Sequence, residues 1–238
     1  MPVHDWTKLD DGAFHSFHVV WQTHVCETLN TGLLPQGFYA QIETHAGLFV
    51  PDVTTLATSA ALSRSSGPGI ALAEPVADRR VKYLVEPRPR RQIAIHGPKR
   101  VVAVIEIISR ANKDRPKHVA NFVNKAVDFL VNGINVAVID ILPPGLHDPN
   151  GMHAEISREI APEVEAAFPP ADRPLTIASY RADTALPPEA YLYYAAVGGR
   201  LPGLPLFLHE EVRVDLPLES TYMMGYDRLP AVIKAELG

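Results

Sequence analysis

The sequence contains a single cysteine, Cys26, which excludes an intramolecular disulfide and leaves no second thiol for a zinc site. Long hydrophobic runs are also absent, since no apolar stretch approaches the roughly 18 residues of a membrane span. The stretch from Met1 to Trp6 has neither the basic nor the apolar region of a signal peptide. We therefore expect a cytoplasmic protein that does not enter a membrane.

The chain also lacks an excess of positive charge. Its formal net charge is -5, which gives no global attraction to nucleic acid, although a local basic strip remains compatible with it. The serine- and glycine-rich segment 63–69 does not end in the Gly-Lys-Ser/Thr of a P-loop, so a nucleotide kinase is excluded. No HExxH pattern occurs. A zinc site is the rival chemistry, with His15, His18 and His24 on the first helix as its candidate ligands. His147, Asp148 and His153 beside a later loop form a second, separate candidate group.

What the chain does have is enough apolar sequence for one large α/β domain, with 47% hydrophobic and 21% charged residues among 238. Apolar spacing predicts helices and strands in a definite order. The expected elements are a helix from about 14 to 29, strands 38–44 and 48–57, a loop 59–78, a hairpin of strands 81–86 and 92–96, a core strand ending at Ser109, a helix 116–131 and a strand 134–142. The core strand, the helix 116–131 and the strand 134–142 together imply a right-handed parallel crossover.

Weaker patterns follow beyond residue 145. We expect a helix 152–168, strands 175–180 and 191–197, an extended arm 200–219 and a last helix 220–237. The proline-rich arm is expected to pack over the core.

Glu106 is the most unusual residue of the predicted core strand. It is the one ionisable side chain in the run from Val101 to Ile108, which otherwise consists of aliphatic residues. A carboxylate in such a place needs a cation, a hydrogen-bonding shell or a metal ion. Two interpretations stay open: a metal ligand, or a buried carboxylate paired with Lys113, Lys125 or Arg100.

The order helix-strand-strand-strand-helix-strand resembles the restriction-endonuclease-like core of the PD-(D/E)XK phosphodiesterase superfamily. Pro51-Asp52 stands where that family places its first metal-binding aspartate, and Glu106-Ile107-Ile108 stands where it places (D/E)-x-K. The stretch from Ile105 to Lys125, with Asn112-Lys113 and Phe122, is similar to uncharacterised bacterial relatives of the Uma-type endonucleases. The resemblance covers about residues 13–142 of one domain spanning 1–238, with an inserted loop and hairpin 58–97 and a C-terminal extension 143–238.

The resemblance implies a Mg²⁺- or Mn²⁺-dependent nuclease in which Asp52 and Glu106 hold the metal and Glu43 adds a third carboxylate. Two carboxylates can bind Mg²⁺ and leave positions for water and a phosphate oxygen, while a lysine stabilises the transition state. Position 108 departs from the family because it is isoleucine, so activity requires a relocated lysine. Lys125 is the better candidate, since it lies on the helix after the Glu106 strand, whereas Lys113 lies in the turn 112–114. The alternative is an inactive nuclease-like module that binds or assembles with a partner.

Positive charge concentrates in the predicted inserted hairpin, at Arg79, Arg80, Arg88, Arg90 and Arg91. This strip is a candidate nucleic-acid contact that would follow the phosphate backbone. More often such a cluster, which here also includes Lys82, is a solvated strand edge that discourages pairing with another chain, and this is the favoured interpretation. The oligomeric state stays open, with a homodimer as one option.

Overall fold

The computed structural model describes residues 3–42, 53–58, 74–83, 99–182, 188–209 and 212–238. These residues form helices on a mixed β-sheet, which confirms the α/β class and the mixed central sheet. The helices are α1 Asp11–Thr28, α2 Arg110–Lys113, α3 Pro116–Val131, α4 Met152–Ile160, α5 Leu218–Asp227 and α6 Ala231–Leu237. The strands are β1 Phe38–Ile42, β2 Val53–Thr58, β3 Arg79–Lys82, β4 Lys99–Ile107, β5 Asn135–Asp140, β6 Leu175–Arg181, β7 Glu189–Ala195, β8 Gly203–His209 and β9 Val212–Pro217.

Seven of these strands form one sheet in the order β1-β2-β4-β5-β6-β7-β3. Strands β4 and β5 are parallel, as the strand-helix-strand pattern predicts, and the other neighbouring pairs are antiparallel. Strand β3 pairs with β7 at one edge of the sheet. The predicted partner strand 92–96 lies outside the described residues.

Helices cover both faces of the sheet because the strands are apolar on both sides. On the first face, α1 and α5 pack together, and the β8–β9 hairpin packs on the central strands. On the second face, α3 and α4 pack against each other and against the sheet. Strand β5 is buried along its whole length between these layers. In the described part of the chain, no helix combines the length and apolar character needed to cross a membrane.

Local sequence explains the two longest helices. The Asp10 side chain caps α1 by accepting a hydrogen bond from the Ala13 amide at 2.7 Å, and the chain turns away after α1 at Gly32, with a φ of 106°. Helix α3 begins at Pro116, the favoured first-turn position for proline. Its apolar stripe is buried, as the spacing predicts: Val119, Phe122, Val123, Ala126, Val127 and Leu130.

Three predictions of the C-terminal region were wrong in detail. Helix α4 ends at Ile160 rather than at residue 168, because Pro162 disfavours helical backbone at Ala161, which has a φ of -145° and a ψ of 77°. The segment 200–219 contains the β8–β9 hairpin, in which β8 is buried over most of its length and the residues of β9 alternate between buried and exposed. The last helix is split into α5 and α6, because Pro230 cannot continue a helix and instead caps the second one.

Candidate functional site

Glu106 and Lys125 meet in the layer between the sheet and α3. The Lys125 ammonium donates a hydrogen bond from Nζ to Glu106 Oε2 at 2.6 Å. Glu106 is 2% exposed, and the Lys125 side chain is 16% exposed. An isolated charge in such a place would be very unfavourable, so each group stabilises the charge of the other. This contact is the buried ion pair of one of the two interpretations of Glu106. It does not test the other interpretation, in which Glu106 is a metal ligand.

The pair forms because β4 alternates between two cores. Ile105 and Ile107 face the first core, whereas Val104 and Ile108 face the second. Glu106 therefore points to the second face, which α3 covers. Lys125 precedes the fully buried Ala126 on that helix, and its Nζ lies 5.3 Å from the centroid of the Phe122 ring.

The wall around the pair is apolar. Val138 lies opposite Glu106 in the parallel β4–β5 register and is 1% exposed. Ile108 is fully buried in the same core. Because hydrocarbon excludes water, the attraction between the carboxylate and the ammonium is stronger there than at the surface. The cation at this carboxylate is thus Lys125, from the helix that follows β4.

Lys113 is brought to a different place. Its Nζ lies 2.8 Å from Asp140 Oδ2 and 2.9 Å from Asp148 Oδ2, and it also donates to the carbonyl oxygens of Leu142 and Pro143 at 3.1 Å each. Burial alone would lower the pKa of Lys113, but the two carboxylates outweigh it and raise that pKa. The structure therefore places Lys125, and not Lys113, at Glu106.

Sequence reasoning missed the Asp140 carboxylate and named Asp148 only as a candidate zinc ligand. Asp140 ends the apolar strand β5, just as Glu106 lies near the end of β4, so the same signal of a charge in a buried strand marks it. Asp148 lies in the loop before α4 and is fully buried, but nothing in its sequence context indicates this burial. Together with Lys113 they form a buried ionic cluster at the carboxyl end of β5.

Only part of the candidate metal site falls in the described part of the chain. Asp52 and Glu43 lie outside the described residues. Val53, the residue after Asp52, pairs with Ile105, the residue before Glu106. Among the residues that the structure describes, no group of three or more histidine, cysteine or acidic side chains is arranged to hold a metal ion.

The histidines of the rival zinc site on α1 have other roles. His18 donates from Nε2 to the Ile107 carbonyl oxygen at 2.9 Å, and His24 Nδ1 lies 3.0 Å from a Glu27 oxygen. His15 is exposed. The His18 contact ties α1 to the end of β4, on the sheet face opposite to the Glu106 side chain.

Of the predicted basic strip, the structure describes Arg79 and Arg80, and nearby carboxylates neutralise the charge of Arg80. Arg80 forms ion pairs with Glu189 at 2.7 Å and with Glu74 at 2.8 Å, and Lys82 pairs with Glu189 at 3.2 Å. Arg79 and Arg80 are exposed on β3, which three strands separate from β4. Arg88, Arg90 and Arg91 lie outside the described residues. The contacts of β3 thus fit a charged sheet edge that discourages pairing with another chain.

Comparison of this chain with protein-family models, with curated proteins and with solved structures finds no match.

Proposed function

We propose that this protein is a Mg²⁺-dependent phosphodiesterase of the PD-(D/E)XK type that acts on nucleic acid. One observation carries the proposal: Lys125 Nζ lies 2.6 Å from Glu106 Oε2, while the fully buried Ile108 occupies the position of the family lysine. A carboxylate and an ammonium in contact are the two groups that such a reaction needs beside the scissile phosphate. The element order supports a restriction-endonuclease-like core.

The donor type available at this site suits Mg²⁺, which prefers carboxylate oxygens and keeps several water ligands. Glu106 supplies one carboxylate on β4. We propose Asp52 as the second ligand, because its neighbour Val53 pairs with Ile105. Glu43 is the third candidate. A bound Mg²⁺ would supply a more acidic water molecule and charge neutralisation at the phosphate.

The residues of the chain have separate tasks in this proposal. Glu106 lies near the end of β4, where its carboxylate would bind the metal ion and the Lys125 ammonium. Lys125 shifts from the carboxylate toward a phosphate oxygen, where its charge stabilises the negative charge that grows in the transition state. Helix α3 positions Lys125, since its buried stripe fixes the helix against the sheet.

The alternative function is an inactive nuclease-like module that binds or assembles with a partner. Its support is the burial of the same pair, since a carboxylate that is 2% exposed and bonded to a lysine also satisfies a purely structural role. Neutralisation of Arg80 by Glu74 and Glu189 fits a protein that does not use this strand for nucleic acid.

A cleavage assay separates the two functions. The full chain is incubated with Mn²⁺ or Mg²⁺ and a mixture of single- and double-stranded DNA and RNA. We expect metal-dependent cleavage that falls by about 10²-fold or more in Glu106→Gln and in Lys125→Met. Lys117→Met is the matched control, because Lys117 is exposed on the same helix and should leave the rate unchanged.

Mn²⁺ binding followed by electron paramagnetic resonance gives a second readout. Glu106→Gln should weaken binding, whereas Lys125→Met should retain it, because the ammonium is not a ligand. Folding of each variant is checked by circular dichroism. A folded wild-type chain that neither binds Mn²⁺ nor cleaves any of these substrates would support the inactive module.

A further inference from the structure

A cluster of polar side chains lies beneath α4, on the second face of the sheet. It consists of Tyr83, His153, Ser157, Thr176, Tyr180 and Tyr194, and is called the polar cluster below. Five of these side chains are at most 4% exposed, and Tyr194 is partly buried. The surrounding core is otherwise apolar, so this concentration of hydroxyls and a ring nitrogen needs an explanation.

Contacts and register show that the members are neighbours. His153 Nδ1 lies 2.6 Å from the Tyr180 hydroxyl. Ser157 is one helical turn beyond His153 on α4 and lies close enough to the Tyr83 hydroxyl to affect its pKa. Thr176 and Tyr194 are directly paired across β6 and β7, so their side chains share one face of the sheet.

Half of these groups lack a partner within the protein. Tyr83 Oη and Ser157 Oγ lie within reach of each other. Three other buried atoms have no hydrogen bond to another protein atom: His153 Nε2, Thr176 Oγ1 and Tyr194 Oη. A buried polar group left in that condition destabilises the fold, so these three atoms call for a partner from outside the chain.

The chemistry of the cluster identifies what would satisfy it. Hydroxyls both donate and accept, and every member is uncharged at neutral pH, so an ion would gain little there. Water is the small neutral molecule that offers two donors and two acceptors, and each buried water makes about three hydrogen bonds. Three unpartnered atoms, together with the remaining hydrogen-bonding capacity of Tyr83 and Ser157, therefore call for about two such molecules.

We propose that the polar cluster is an internal water-binding site in which about two ordered water molecules bridge α4 to β6, β7 and the end of β3. The waters complete the hydrogen bonding of His153 and hold its ring in one tautomer against Tyr180. They also tie the edge strand β3 to the helix layer through Tyr83.

A high-resolution crystal structure and the relaxation dispersion of water oxygen-17 test the proposal. We expect density for water within hydrogen-bond distance of His153 Nε2 and Thr176 Oγ1, and long-lived internal water in solution. Density for a larger molecule in the cluster would overturn the assignment to water. A cluster that holds no molecule in the crystal, with no long-lived water in solution, would overturn the proposal itself.

The Thr176→Val variant keeps the shape of the side chain and removes one hydroxyl. If water bridges this hydroxyl, the variant loses part of the long-lived water signal and its Tm does not rise. If the hydroxyl is unsatisfied, its removal relieves a penalty, and a higher Tm with an unchanged water signal would contradict the proposal. Thr23→Val is the matched control, because the Thr23 hydroxyl bonds the Val19 carbonyl on the surface of α1.

Discussion

At the residue scale, the contact of Glu106 with Lys125 shows how a charge is accommodated inside an apolar sheet. The carboxylate lies among Val104, Ile108 and Val138, and the ammonium is its cation. Such a pair contributes little net stability over an apolar replacement, but removal of one partner leaves a buried charge. The loss of stability on substitution of one residue of the pair therefore depends on whether the other residue is substituted as well.

Lys125→Met is expected to lower the free energy of unfolding by about 3–5 kcal/mol, because Glu106 would be left charged and buried. The double variant Glu106→Gln with Lys125→Met should recover most of that loss. Urea unfolding of the wild type, both single variants and the double variant gives the coupling free energy. The control Lys117→Met should change stability by less than about 0.5 kcal/mol.

A small effect of Lys125→Met has a different meaning. A loss below about 1 kcal/mol is typical of an exposed ion pair and would show that water reaches Glu106 in solution. That outcome would contradict the burial of the pair.

At the element scale, Lys113 connects three separate pieces of the fold. It ends the short helix α2, and its four acceptors belong to the end of β5 and to the loop before α4. Asp140 and Asp148 also accept bonds from the amides of Leu142 and Gly145 at 3.1 Å and 2.9 Å. The carboxylates shape the loop, and the lysine neutralises them.

Lys113→Met should therefore destabilise the protein by about 3–5 kcal/mol and loosen this loop, because two buried carboxylates would lose their cation. Hydrogen exchange should rise first at the amides of 142–148. In Lys113→Met combined with Asp140→Asn, part of the stability should return. If cleavage activity is present, the rate per folded molecule should survive Lys113→Met, and its selective loss would assign Lys113 to the reaction after all.

The elements differ in how far the sequence predicts them. Helix α1, helix α3 and strand β5 carry strong periodic or continuous apolar patterns, and their existence and the parallel β4–β5 pairing follow from them. The pairing of β3 with β7 joins residues more than 100 positions apart, and no local pattern encodes it. The β8–β9 hairpin was expected only as extended chain, since prolines obscure its alternation.

The site shows the same contrast. Glu106 is evident from the sequence because a charge interrupts an apolar strand. The preference for Lys125 over Lys113 follows from its place on the helix after β4, whereas the partners of Lys113 do not follow from the sequence. The polar cluster is not evident, because its members come from α4, β6, β7 and the residue after β3, and become neighbours only through packing.

At the scale of the whole molecule, chain segments far apart in sequence are joined by buried polar contacts. The Tyr222 hydroxyl on α5 contacts His4 Nδ1 at 2.8 Å and accepts from the Trp6 indole at 3.1 Å, so the N-terminal segment is tied to the C-terminal helices. Burial lowers the pKa of His4. On the other face of the sheet, burial lowers the pKa of His153 to about 3.

These two histidines predict how global stability depends on pH. An unfolded histidine binds a proton near pH 6.5, but folded His153 does so only near 3, so below pH 6.5 the unfolded state holds more protons. Stability is therefore full above pH 6.5 and falls as the pH decreases toward 3. His153 contributes about 1.4 kcal/mol for each pH unit in this range. The pKa values of Asp78 and Glu189 are lowered in the folded protein, so their contribution to stability is lost only at more acidic pH.

Between pH 6.5 and about 4.5, His153 thus lowers stability as the pH falls, whereas Asp140, whose pKa is raised by burial, acts in the opposite direction. Urea unfolding at several pH values should show the wild-type decline there, and His153→Gln should flatten it by about 1.4 kcal/mol for each unit. His15→Gln is the matched control, because the exposed His15 side chain meets water in both states and should leave the slope unchanged. An identical slope in His153→Gln and wild type would mean that His153 takes up its proton without unfolding, in conflict with its burial beneath α4.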